Sequence, residues 1–238
     1  RSAYASLIED APAKGRSLSD EKVSVIARLG SGSACRSVFG GFVALDAGRG
    51  NDIDSAQAEQ IVPEHHWKLH DIIIVPSQKE KKVGSTEGHA LAHTSPHFAD
   101  RVDAIQSSRQ KECIDAIIAR DFEKLQKVSE EDCMDMHRVM ETSSPSLRYL
   151  TDDTHRIVGE ITTLRSREHL PVLFTMDAGP TVHLFCTEEA HDRVLGFARA
   201  QKGCRIFETK VGPGARIITD GSAQSPLRSR TGRTLQFS

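Results

Sequence analysis

Val172-Leu173-Phe174-Thr175-Met176-Asp177-Ala178-Gly179-Pro180-Thr181-Val182-His183-Leu184-Phe185 holds two short apolar runs separated by a Gly-Pro break. Runs of this length bounded by turn formers read as strands. Glu188 to Ala200 follows with helical character, and Cys204-Arg205-Ile206-Phe207 reads as another strand. Strand, strand, helix, strand predicts an α+β layer, with helices covering one face of a sheet.

Moving upstream, Asp71-Ile72-Ile73-Ile74-Val75-Pro76 reads as a buried strand ended by proline, and Lys79 to Lys82 as a charged surface connection. Thr94-Ser95-Pro96 signals a helix start, and the pattern stays mainly helical to Met140. Within that stretch Ile114, Ile117, Ile118, Leu125 and Val128 supply apolar faces, and Ser129-Glu130-Glu131-Asp132 predicts a capped restart. Nearer the beginning, Ser19-Asp20 caps a helix carrying Val23, Ile26 and Ala27 as far as Gly30. The spacing of Val38, Phe39, Phe42 and Val43 predicts a further helix from about Ser33, although Gly40-Gly41 lowers its helicity.

The whole chain has 238 residues, 38% of them hydrophobic and 27% charged, a balance that suits a globular protein with a real core. Its formal net charge of -2, with signs mixed along the chain, argues against a generic nucleic-acid binder. No apolar run approaches the ~20 residues of a membrane helix. Five scattered cysteines, Cys35, Cys113, Cys133, Cys186 and Cys204, lack any CxxC spacing and read as reduced thiols of a cytoplasmic setting. Arg1-Ser2-Ala3-Tyr4-Ala5-Ser6-Leu7 shows no signal-peptide layout and reads as the middle of something longer; Gly221 to Ser238 has arginines, small residues and no acid, the composition of a flexible tail.

Three segments have the chemistry for a site. In Gly30-Ser31-Gly32-Ser33-Ala34-Cys35-Arg36-Ser37, small residues admit a ligand close to the backbone and the hydroxyls and Arg36 can complete an anion site; the same stretch also reads as an ordinary turn. Asp177, just after a strand and before Gly179-Pro180, is either a desolvated base or a turn-stabilising carboxylate. Gly84-Ser85-Thr86-Glu87-Gly88-His89 is either a phosphate site or a loop. His65-His66-Trp67 with His70, and the pair His89 and His93, match no HExxH or zinc-quartet spacing, so no metal ligand is predicted.

Together these segments resemble the mevalonate diphosphate decarboxylase family of the GHMP superfamily. Ile26-Ala27-Arg28-Leu29-Gly30-Ser31-Gly32-Ser33-Ala34-Cys35-Arg36-Ser37-Val38-Phe39-Gly40-Gly41-Phe42-Val43 is nearly its signature. The likeness continues in order through Asp54-Ser55, Ser85-Thr86-Glu87-Gly88, Thr94-Ser95-Pro96, Asp153-Thr154, Thr175-Met176-Asp177-Ala178-Gly179-Pro180 and Lys210-Val211-Gly212-Pro213-Gly214. His89 and Thr181 depart from it, standing where the family usually has methionine and asparagine.

The resemblance implies an α+β, GHMP-kinase-like fold: a partial N-terminal domain over residues 1–80, a ferredoxin-like C-terminal domain over 81–220 and a tail over 221–238. It implies ATP- and Mg2+-dependent decarboxylation of mevalonate 5-diphosphate to isopentenyl diphosphate, in the cytoplasm and as a homodimer. Arg36 and Asp177 match the catalytic groups, Ser31, Gly32, Ser33 and Arg36 the substrate contacts, and Ser85 and Thr86 the nucleotide-phosphate region. The family's ATP loop would precede Arg1, so this chain is expected to bind ATP badly. The alternatives are a related mevalonate-phosphate kinase or decarboxylase, or a catalytically silent fragment.

Overall fold

The computed structural model describes residues 18–46, 48–50, 52–76 and 85–216. Arg1 to Leu7, the charged connection Lys79 to Lys82, Gly84 and the tail from Gly221 lie outside the described residues.

Helix α1 spans Asp20–Gly30, capped by Ser19, whose hydroxyl accepts from the Lys22 N–H. A single 3-10 turn, Ala34–Val38, follows. The helix predicted from about Ser33 goes no further than this turn. Gly41 takes a left-handed φ of +72°, and Phe42–Leu45 leaves it as strand β1, antiparallel to β2 (Ala58–Val62). The double glycine therefore breaks the helical period instead of packing within it.

Strand β3 is Leu69–Val75, β4 is Val172–Thr175, β5 is Val182–Thr187 and β6 is Arg205–Lys210. They form one antiparallel sheet in the order β4-β5-β3-β6. Between β3 and β4 lie α2 (Ser85–Leu91), α3 (Phe98–Ala104), α4 (Gln110–Ala119), α5 (Phe122–Glu141) and α6 (Asp152–Glu168). Helix α7 (His191–Arg199) joins β5 to β6. Strand, helices, two strands, helix, strand with this order is the ferredoxin-like arrangement. Because β3 is hydrogen-bonded between β5 and β6, it belongs with the later elements; a boundary after residue 80 would cut it from its own sheet.

Alternation sorts the two faces of that sheet. Ile72, Ile74, Phe174, Val182 and Leu184 join Ile157 and Ile161 of α6 and Val194 and Ala198 of α7 in the main core. On the other face Leu69, Leu173 and Phe185 meet Ala116, Leu125, Trp67 and Phe42. The restart expected near Ser129 lies earlier. Arg120 turns left-handed, and Asp121 caps a helix that then runs unbroken through Ser129. Glu130 is used across the core instead, accepting from the Phe174 N–H at 3.0 Å and pairing with Arg165. Among the described residues no helix is long and apolar enough to cross a membrane.

Candidate active site

The small-residue stretch after α1 is a built corner. Ser24, fully buried, donates its hydroxyl to the Cys35 carbonyl at 3.0 Å, and the Cys35 thiol donates to the Gly32 carbonyl at 3.3 Å. Cys35 is therefore a packing residue, while its neighbours Ser33, Arg36 and Ser37 are exposed. The Ser31 and Ser33 hydroxyls lie 3.4 Å apart at the surface.

A second wall crosses this corner at van der Waals range. A Cβ on Gly40 would sit 2.4 Å from the Gly214 nitrogen, and one on Gly214 would sit 2.3 Å from the Val38 carbonyl oxygen. Only glycine permits backbones to approach this closely. The crossing is fastened by Gly41 N–H to the Gly212 carbonyl at 2.9 Å and by Ala215 N–H to the Ser37 and Val38 carbonyls.

Asp177 arrives from the end of β4 on a turn braced from both sides. Cys133 of α5 accepts from the Met176 N–H at 3.2 Å and donates its thiol back to the Met176 carbonyl at 3.6 Å. One helical turn later, buried His137 faces the backbone of Asp177 and Met176. Burial pushes the His137 imidazole below its ordinary value, with Glu141 and those backbone groups opposing. Beyond the turn, Thr154 donates its hydroxyl to the Pro180 carbonyl at 3.0 Å while sharing a capping box with Thr151. The side chain of Asp177 is left exposed at the end of this rigid mount.

Corner, wall and turn line one polar, solvent-open cavity of about 410 Å3, bordered by Ser33, Arg36, Ser37, Gly41, Asp177 and Gly212 among others. The structure thus joins Arg36 with Asp177, 141 positions apart in the chain. Ser31 and Gly32 stand beside the cavity without lining it. Ser85 and Thr86 are the first two residues of α2. Cys133, His137 and Thr154 were not legible as site residues: they act on the backbone under Asp177, and no sequence pattern marks such a contact.

A larger open groove of about 540 Å3 runs along α6 and α7. Its cations are already engaged, Arg156 with Asp153 and Glu160, and Arg167 with Glu168. The smaller cavity, where Arg36 has no such carboxylate partner in an ion pair among the described residues, is the better anion site.

Residues 71–217 match the model of the mevalonate 5-diphosphate decarboxylase C-terminal domain, and residues 1–57 that of the diphosphomevalonate decarboxylase-like N-terminal domain. The chain belongs to the mevalonate 5-diphosphate decarboxylase family. It is 33% identical over 213 residues to the diphosphomevalonate decarboxylase of Candida albicans, a match covering 81% of this chain and 59% of that protein. The mevalonate diphosphate decarboxylase of Staphylococcus aureus superposes with a TM-score of 0.75 at 30% identity, over 85% of this chain and 61% of its own. A structure of MDDEF in complex with MVAPP, AMPPCP and magnesium superposes with a TM-score of 0.74 at 27% identity, over 83% and 60%. The chain therefore spans about 60% of the length of these relatives. The GHMP-kinase-like fold implied by the sequence is the fold observed.

Proposed function

We propose that the Arg36–Asp177 cavity binds mevalonate 5-diphosphate and serves its ATP-dependent decarboxylation to isopentenyl diphosphate. The observation that carries this reading is the meeting of one guanidinium and one carboxylate, each on a rigid mount, around a single polar cavity. Arg36 presents a planar fork that suits the substrate's carboxylate. Ser33 and Ser37 add hydroxyl donors beside it. Asp177 accepts the hydrogen bond, or the proton, of the tertiary hydroxyl.

The donor set fits the implied partners unequally. Among the described residues Asp177 is the only carboxylate lining the cavity, which suits Mg2+ held mainly by phosphate oxygens and water instead of by a protein cage. Ser85 and Thr86, at the start of α2, are proposed to lie near the nucleotide phosphates. ATP, when bound, supplies the phosphoryl group that makes the tertiary oxygen a competent leaving group. The chain's own residues hold the reacting centre still: Arg36 fixes the carboxylate, and with it the carbon–carbon bond that breaks, relative to the oxygen steadied by Asp177.

A coupled assay for ATP-dependent phosphate release with mevalonate 5-diphosphate, run beside calorimetric binding of that substrate, tests the reading. Turnover or binding lost in Arg36→Ala and turnover lost in Asp177→Ala, with both variants folded, is expected. Substrate binding without turnover in this chain and in a version extended upstream would support the silent-fragment alternative. Light scattering tests the homodimer, and fractionation the cytoplasmic setting, that this reading includes.

A further inference from the structure

We propose that His70, His191 and Glu208 form a binding site for a divalent transition-metal ion, zinc by chemical preference, separate from the Arg36–Asp177 cavity. One ligand atom of each residue lies within 4.8 Å of the others. The topology explains the meeting. Glu208 on β6 stands opposite Ile72 on β3, and His70 lies two residues earlier on the same face. Helix α7 packs on that face through Val194 and Leu195, so its first residue, His191, comes down beside both.

The contacts around His191 are those a cation would satisfy. Its Nδ1 lies 2.9 Å from Asp192 Oδ1 and its Nε2 lies 2.9 Å from Glu208 Oε1. A neutral imidazole carries one proton, so one of those contacts sets a lone pair against a carboxylate unless a proton or a metal ion stands between them. Asp192 on Nδ1 gives the carboxylate–histidine arrangement that orients metal-bound imidazoles and leaves Nε2 as the ligand. The His70 ring is 4.3 Å from that of His191, centroid to centroid, and its Nε2 lies 3.3 Å from Glu188.

Charge and access favour the same occupant. Four carboxylates, Glu188, Glu189, Asp192 and Glu208, belong to this corner, against Lys68 and Lys210 nearby. Both histidine side chains are 16% exposed and so held in place, whereas Glu208 opens to solvent and leaves an entry path. Two imidazoles, one carboxylate and room for water are a common zinc donor set. Ligand atoms in such a site stand about 3.3 Å apart for bonds of about 2.0–2.1 Å. The His191 Nε2–Glu208 Oε1 pair, now 2.9 Å apart, would part by a few tenths of an ångström, and the rest of the set, within 4.8 Å, would draw in.

The test is titration of metal-free chain with Co2+ and Zn2+, by absorption and calorimetry, and it needs no turnover. One ion per chain is expected, with cobalt d–d bands and no thiolate charge-transfer band. Affinity should fall about 100-fold in His191→Ala and Glu208→Gln, and about tenfold in Asp192→Asn. The paired variant His89→Ala/His93→Ala should bind as the parent does. X-ray absorption of the zinc-loaded parent, which avoids any folding defect of a variant, should show nitrogen and oxygen ligands without sulfur. Sulfur ligation, no saturable binding, or unchanged binding in His191→Ala would overturn the proposal.

Discussion

Replacing Gly214 by alanine tests whether the crossing of residues 38–41 and 212–215 sets the cavity. The added Cβ would lie 2.3 Å from the Val38 carbonyl oxygen, 2.8 Å from the Gly40 nitrogen and 2.8 Å from the Phe39 carbonyl carbon. All three are backbone atoms that no rotamer change can move aside. Contacts below 3.0 Å are not tolerated, so the two segments must part by about 0.7 Å. That displacement strains or breaks the Ala215 hydrogen bonds to Ser37 and Val38 and the bond from Gly41 to Gly212. Losing two such bonds costs roughly 2 kcal/mol, and residual crowding adds about 1 kcal/mol. Against this, alanine restricts the unfolded chain and returns about 0.4–1 kcal/mol. A net loss of about 2–3 kcal/mol in urea unfolding is expected. Since Ser33, Arg36 and Ser37 hang on one segment and Gly212 on the other, substrate binding and the turnover proposed for this cavity should fall as well, by about 100-fold for a misplacement approaching 1 Å. Gly214→Ala with parental stability and parental substrate binding would refute the account of how the cavity is held.

Glu130→Ala should destabilise the chain by roughly 2–4 kcal/mol in urea unfolding, because it leaves the Phe174 N–H unpaired and takes the carboxylate from an Arg165 guanidinium that keeps its bond to the Val172 carbonyl; the Arg165 and Glu130 side chains are about 15% exposed, so the figure is set below a fully buried pair. His137 is held below its ordinary value by burial, so the unfolded chain binds the extra proton. Its contribution to stability is full above about pH 6.5 and is lost as pH falls below that value. Unfolding at pH 5 and pH 8 should therefore show a smaller acid-side loss in His137→Gln than in the parent. Cys186, pushed up to about 12 by burial with Asp71 adding to it, should react with iodoacetamide only as the chain unfolds, whereas half-exposed Cys204 should label first when modified peptides are followed by mass spectrometry.

What was legible in the sequence followed locality. Strands β3 to β6 could be read because each is a short apolar run closed by a turn former, and α1 because Ser19 announces it. The failures share a cause. Val38, Phe39, Phe42 and Val43 have helical spacing, but their burial is decided by β2 and by the chain at Gly212, both distant in sequence. Ser129-Glu130-Glu131-Asp132 has the form of a cap, yet Glu130 finds a better partner in Arg165 across the core. The site divides the same way. Arg36 and Asp177 sit in segments whose residue types alone read as ordinary turns as readily as an anion site and a base, and the family resemblance joined them. Cys133 and His137 look like one turn of an amphipathic helix until the backbone of Met176 and Asp177 is laid across them. His70, His191 and Glu208 are further still from any local pattern, since a sheet register and a helix start bring them together. The proposed metal corner therefore depends on the β3–β6 register, and so does the cavity wall at Gly212, which continues β6 through the Val211 N–H to the Leu69 carbonyl.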